Sequence, residues 1–501
     1  MKKAIISFLC ALFVFFAFSS CMEKTDPESH AETGAGETAV YTEPATDSQS
    51  AVTEAVDTDT PEIIGEYSGK TLKILVNDGF WPGDDIYRDT DKNDPLSEAI
   101  RKRNQAVKEK YGIDFEVIKD AAAVTTLKTA AKSGYNVCGA AYINAFEACP
   151  AACENIFRDL TAIKNLDLKK QYWDQGLYNG LQIDGKLFYA TGDISTKAND
   201  GTFLLLYNKD LVKDDLYTTV NDGEWTLDTL NSIIKDKYSD LNNNGESDPD
   251  DFFGMGIQIE AYLGFFFGAN CRLTIRDDDQ MPRFYLESDA DTLYNNSVFE
   301  KVHELTRSGK NVIDSHDYLA VAPYYTEGTF ASVKAFRENR SLFCFTYAAM
   351  IPEITGMKSD YGILPLPKYN RDQASYLTYV YHGADMFVIP LTNKNPDFAG
   401  YALEVLCAES YNTVTPVYFE QTVKNLRDGE SRRMIDMIFK NRVWDLCYYA
   451  RLGSADDMIL QQIKKPDYNQ FDKFIKNIRK PVAKAIQKYI DAYKATSHLT
   501  D

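Results

Sequence analysis

Three features of the sequence predict an α/β fold built as two packed bodies. From Leu72 onward, apolar runs of strand length alternate with runs of helical period, the order of a mostly parallel sheet covered by helices. In the stretch from Asp184 to Leu230, two apolar segments (187–190 and 202–207) enclose a polar crossing that carries Asp193, Ser195, Thr196, Asn199 and Asp200. Hydrogen-bonding groups thereby collect where the backbone passes from one body to the other, a place suited to a binding cleft. The chain of 501 residues is 44% hydrophobic and 13% aromatic, enough for more than one large core.

Taken in order, the chain first gives an address. Lys2 and Lys3 precede an apolar run, 4–18, too short for a comfortable permanent span, and Ser19 and Ser20 precede Cys21. The pattern resembles a bacterial lipoprotein signal (1–21), which implies lipidation of Cys21 and a place on the extracellular face of the cell membrane. Phe18 departs from the usual Leu of such signals. Residues 22–66 hold twelve acids and one lysine with few large apolar side chains, and read as a disordered acidic tether. The formal net charge is −20, and the rest of the chain is also acidic, which repels phosphate backbones and excludes nucleic acid as a partner. Two glycine motifs are decoys. Gly34, Gly36 and Ala39 have no strand before them and no helix after them, and Gly65, Gly69, Lys70 and Thr71 precede a strand instead of following one. Seven cysteines remain beyond Cys10 and Cys21, an odd number at irregular spacing that argues against a complete disulfide framework.

The first body opens with a strand at 72–76, a helix over Pro95–Tyr111 and a strand at 113–118. The loop after the first strand contains Trp81, and Tyr142 and Asn144 mark a second strand end; carboxyl ends of parallel strands are where open sheets bind ligands. In the central stretch Asn208 and Thr226 are placed to cap helices, and Leu227, Leu230, Ile233 and Ile234 recur at helical spacing.

The residues Asp184, Gly185, Lys186, Leu187, Phe188, Tyr189, Ala190, then Leu206, Tyr207, Asn208, Lys209, Asp210, Leu211, then Trp225 and Thr226 resemble, in order, the signatures of the extracellular solute-binding proteins of ABC importers. The nearest group is the sugar-binding family that includes maltodextrin-binding protein, and the resemblance extends more loosely from about Lys70 to the C-terminus. It implies a two-lobed periplasmic-binding-protein-like fold (type II), each lobe a mixed, mostly parallel sheet flanked by helices, with several interlobe crossings. Lobe 1 would take 67–192 and 380–410, and lobe 2 would take 193–379 and 411–501. It also implies a monomeric receptor without catalysis, working with permease subunits and a separate ATPase.

Beyond the central helix, Asp240, Asn242, Asn244, Asp248 and Asp251 fall at positions one, three, five, nine and twelve of a Ca²⁺-type loop. Gly245 stands at the turn, and Glu246 would offer its carbonyl. Position twelve is an Asp where a bidentate Glu is usual, and position eight is Ser247. A lone structural Ca²⁺ loop is therefore expected, with a metal-free Asn/Gly turn as the alternative. A strand is expected at 341–345, another with a rigid end over 361–368, a return crossing at 376–381 and 385–389, and a helix at 396–407. An amphipathic run, 471–493, would close the second lobe.

An uncharged sugar offers hydroxyls to carboxylates and amides, and C–H faces to aromatic rings. The expected ligand set is Trp81, Tyr142, Asp193, Asp200, Tyr347, Tyr381 and Trp444, its convergence implied by the resemblance. Each aromatic also suits a core, and each Asp also suits a cap. Trp225 is expected to be buried at its helix start. Of five histidines, none stands in a zinc-like pair or beside a nucleophile motif. A secreted glycoside hydrolase or lyase, and a surface lipoprotein without transported ligand, are the rival classes.

Overall fold

A computed structural model describes residues 60–79, 85–87, 93–277, 279–318, 330–354, 356–424, 426, 428–465 and 471–496. The expected signal, the lipid site Cys21, nearly all of the tether and Trp81 lie outside the described residues. Among the described residues, no helix is long and apolar enough to cross a membrane.

Two sheets organise the chain. The first has four strands, with Thr71–Asn77 between two parallel neighbours, Asp114–Asp120 and Ala140–Asn144. Asp385–Val388 returns late in the chain to pair antiparallel with Ala140–Asn144. The helix Pro95–Tyr111 that joins the first two strands begins as its sequence predicts: the Asp94 carboxylate accepts from Ser97 N–H, and Pro95 sits where no donor is needed. It ends on Gly112 in the left-handed region at φ 70°.

The second sheet has six strands. Phe203–Asn208 lies between the antiparallel strands Tyr361–Leu364 and Ser341–Tyr347, and Phe252–Ile257 runs parallel to Ser341–Tyr347. Tyr238–Ser239 and Val312–Asp314 complete it. Every residue of Phe203–Asn208 is buried, as its unbroken apolar run requires for a strand covered on both faces. Trp225 is fully buried and donates to the Pro365 carbonyl (2.9 Å), and Thr226 caps its helix by accepting from Thr229 N–H at 3.2 Å.

Some elements differ from the sequence expectation. Residues 187–190 form no ladder; they are buried, with one bridge from Ala190 to Phe387. Asn208 caps a turn, accepting from Asp210 and Leu211 N–H, and the next helix starts only at Leu216, capped by Asp215. The helix expected to stop at 407 continues as Pro396–Val423. The last helix, Phe471–Thr496, does not serve one sheet alone. Phe471 stacks on Phe299 beside the second sheet, while Tyr489 and Tyr493 donate to the carbonyls of Cys149 and Lys186 beside the first. One continuous apolar cluster accordingly runs through both sheets. All seven cysteines in the described residues are free, and six of them are buried.

Candidate functional site

Two crossings join the sheets and run antiparallel. Ala190 and Phe387 exchange backbone hydrogen bonds at 3.0 and 2.7 Å, and Tyr381 N–H donates to the Gly201 carbonyl at 2.7 Å. The approach is close: a Cβ on Gly201 would stand 3.3 Å from that of Tyr381. Between these points the first crossing coils into a short helix, Lys197–Asp200.

Polar side chains fasten this coil on every side. Buried Asp85, from the loop after the first strand, accepts from Ser195 Oγ (2.5 Å), Thr196 N–H (2.9 Å) and Tyr142 Oη (3.1 Å). Lys197 pairs with Asp385 on the return strand at 2.6 Å. Asn199 accepts from Arg442, whose other end pairs with Asp174 at 3.0 Å. Thr415 donates to Asp193 (2.9 Å) and Tyr418 to Asp200 (2.8 Å), both from the long helix Pro396–Val423. Burial pushes the carboxyl of Asp193 up to about 7 against the Thr415 hydrogen bond, and that of Asp385 up to about 7 against Lys197.

A row of partly buried rings lies beside the crossings. Tyr347 ends its strand in the second sheet, and Phe146 follows the strand Ala140–Asn144 of the first. Between them stand Tyr381 and His382 of the return crossing. Phe146 and His382 stack at 3.9 Å and 9°, His382 and Tyr381 are tilted at 4.2 Å, and Tyr381 and Tyr347 lie nearly parallel, 5.9 Å apart and 12° between planes. The Arg451 guanidinium sits 5.1 Å above Phe146. His382 is neutral, its imidazolium pushed down to about 3 by burial and by Arg451.

Glu260 lies at the same end of the second sheet. The parallel register pairs Gly256 with Cys344, and Gln258 donates to Thr346 at 3.4 Å, so Glu260 comes just beyond the level of Tyr347. Its carbonyl accepts from Tyr379 Oη at 2.9 Å. Burial, with Asp314 nearby, pushes its carboxyl up to about 7. Partly buried rings and a carboxylate at the same end of the sheet are the groups that a ligand with apolar C–H faces and hydroxyl edges needs.

The expected ligand residues thus separate. Tyr347 and Tyr381 come together in the ring row. Asp193 and Asp200 stay on the first crossing, their carboxylates engaged by the long helix. Tyr142 is fully buried, stacked on Phe387 at 4.5 Å and bonded to Ser195 and Asp85. Trp444 is 3% exposed, donates to Asp174 at 3.2 Å and packs on Tyr449 at 4.7 Å. Sequence reasoning missed Phe146, His382 and Glu260. Glu260 carried a usable signal, since it stands three residues beyond the apolar strand Phe252–Ile257.

The loop 240–251 forms its expected turns. Gly245 has φ 82° and donates to Asp240 Oδ2 at 2.9 Å; Asn244 N–H and Glu246 N–H donate to the side-chain carbonyls of Asn242 and Asn244. Asp248 accepts from both Asn amides, and fully buried Asp251 accepts from Leu241 N–H, Tyr238 Oη and Asp248 N–H. Tyr238 Oη also donates to the Glu246 carbonyl at 3.1 Å. Among the described residues, no group of three or more His, Cys, Asp or Glu side chains is arranged to hold a metal ion. The loop's donors are hard oxygens, the ligand type Ca²⁺ takes, and Asp240 Oδ1 is buried without a partner.

No family model matches the sequence, and no curated protein matches it. Among solved structures the fold is similar to that of the sugar-binding protein MalE from the phytopathogen Xanthomonas citri, with TM-score 0.54, 14% identity, and 85% of this chain and 99% of that chain covered. It is also similar to a cyclo/maltodextrin-binding protein complexed with maltotetraose, with TM-score 0.51, 13% identity, and 85% and 96% covered. At such identity the likeness is one of fold: the chain has the two-lobed α/β fold of periplasmic binding proteins.

Proposed function

From that fold as premise, we propose that the chain is a lipid-anchored extracellular receptor of an ABC importer, which captures a carbohydrate between its lobes and delivers it to permease subunits driven by a separate ATPase. The supporting observation is the ring row. Phe146, His382, Tyr381 and Tyr347 link carboxyl strand ends of both sheets, so one ligand lying on them would touch both lobes. Its C–H faces would bury on Tyr381 and Tyr347, and Glu260 would accept from its hydroxyls. Hinge closure around such a ligand is established behaviour of periplasmic binding proteins. Both similar structures are named as binding proteins, in keeping with a receptor that catalyses nothing.

Native mass spectrometry of the purified protein, with thermal-shift measurements across mono- and oligosaccharides, tests this reading. A bound sugar or a saturable shift that Tyr347→Ala abolishes is the expected result. Turnover of the bound oligosaccharide, or no shift with any sugar, overturns it. The anchor is tested separately: labelled palmitate should enter the chain, and Cys21→Ala should release the protein from the membrane.

We also propose that the loop 240–251 holds a structural Ca²⁺ through Asp240, Asn242, Asn244, Asp248, Asp251 and the Glu246 carbonyl. Its support is the oxygen spacing together with the unpartnered Asp240 oxygen.

A further inference from the structure

The long helix Pro396–Val423 is a third link between the sheets. With 28 residues it extends about 42 Å at the usual rise per residue. Its first half is rooted beside the first sheet. Glu404 accepts from Tyr172 Oη (2.6 Å), Trp173 Nε1 (2.9 Å) and Asp167 N–H (3.2 Å), and Ser410 accepts from Arg103 of the neighbouring helix at 3.1 Å. That contact continues through Val414 and Val417, which pack on Ala99 and Ile100. After this point the partners change. Tyr418 and Phe419 pack on Phe439 of the helix Glu430–Lys440, which flanks the second sheet.

Pro416 stands at this change of partners. It has no N–H for the carbonyl four residues back, and its ring crowds that carbonyl. The residues before it weaken the helix further. Ser410, Asn412 and Thr413 turn their side chains back onto the carbonyls of Leu406, Ala408 and Glu409, a pattern that bends helices. One residue before Pro416, Thr415 holds Asp193, and two residues after it, Tyr418 holds Asp200. The helix is therefore weakest where it is tied to the crossing that joins the sheets.

We propose that the helix bends at Pro416 when the sheets move relative to one another, and that the Thr415–Asp193 and Tyr418–Asp200 contacts latch it in the conformation described here. The proposal rests on the receptor reading only for the purpose of the motion; the bend itself needs no ligand.

The test uses the full-length protein without added sugar. Hydrogen exchange of peptides spanning 410–418 should be at least about tenfold faster than of peptides spanning 398–408, and Pro416→Ala should remove most of that difference. Nitroxides on keto-bearing residues introduced at exposed Thr125 and Ser232, on helices beside the two sheets, report the motion by pulsed dipolar spectroscopy. Pro416→Ala should narrow the distance distribution, and Tyr418→Phe, which deletes only the latching hydroxyl, should widen it. Equal protection of the two peptides, or an unchanged distribution in both variants, overturns the proposal; if Pro416→Ala does not fold, an unchanged Tyr418→Phe distribution does so alone. Failure of every sugar to bind would sink the receptor reading and leave these outcomes as they stand.

Discussion

Lys197 Nζ and Asp385 Oδ2 lie 2.6 Å apart, with the two side chains only 3% and 1% exposed. One residue belongs to the outward crossing and the other to the return strand, so the ion pair ties the two main crossings together where they leave the first sheet. Removing both ions from water is costly, and the pair is tolerable only while each charge keeps the other. Lys197→Met leaves Asp385 buried without its cation, and should lower stability in urea by about 3–5 kcal/mol at neutral pH. The double variant Lys197→Met/Asp385→Leu should regain much of that loss, since an apolar pair of similar volume has no charge to desolvate. A single variant as stable as the native chain would contradict the assignment.

The pH dependence follows from five buried carboxyls. Asp193, Asp385 and Asp456 rise from 3.8, and Glu260 and Glu404 from 4.5, each to about 7, with burial the largest cause in every case. A raised folded value means that the folded chain binds protons more tightly than the unfolded chain. Their stabilisation is fully present below the unfolded values and is lost as pH rises through about 7. Asp428 acts the other way: Lys209 and Ser431 outweigh its burial and hold it low, so its contribution is lost only in stronger acid. Scanning calorimetry should therefore give a higher midpoint at about pH 5 than at about pH 8, and Asp193→Asn, which keeps an acceptor for Thr415, should reduce the difference. A midpoint that climbs steadily between those pH values would refute it.

The same crossing shows what the sequence made legible and what it hid. The periodicity of Leu227, Leu230 and Ile234 and the Thr226 cap are local facts, written within a few residues, and they hold. The strand Phe203–Asn208 also holds, because a strand buried on both faces needs an unbroken apolar run. The fate of Asp193, Asp200 and Tyr142 is set by residues far away in sequence, Thr415, Tyr418 and Phe387, and no local pattern announces them. Phe146 and His382 were hidden for the same reason. Each is an ordinary apolar or lone polar residue until the return crossing lays one ring on the other.

The loop 240–251 gives a thermodynamic prediction. A cation bound only by the folded chain raises its stability in proportion to the logarithm of its concentration above Kd. Millimolar Ca²⁺ should raise the melting midpoint and a chelator should lower it, while Asp240→Ala should abolish the response. Equal midpoints in Ca²⁺ and chelator would remove the ion from the account.

Core and site separate among the aromatic residues singled out by sequence. Trp444 is enclosed. It packs on Tyr449, bonds to Asp174, and lies so close to the helix Gln175–Leu181 that a Cβ on Gly180 would meet its carbonyl oxygen at 2.4 Å. Trp444→Ala should open a cavity and cost about 3–5 kcal/mol of stability. Gly180→Ala should also be destabilising, because backbone and not a movable side chain stands in its way. Tyr347 is partly buried, with one neighbouring ring nearly parallel to it and Phe203 at right angles. Tyr347→Ala should cost less stability than Trp444→Ala while weakening sugar binding tenfold or more, about 1.4 kcal/mol. Urea unfolding and calorimetric titration of the same two variants decide the matter: if Trp444→Ala is stable and Tyr347→Ala binds sugar as tightly as the native chain, the ring row is not the ligand platform.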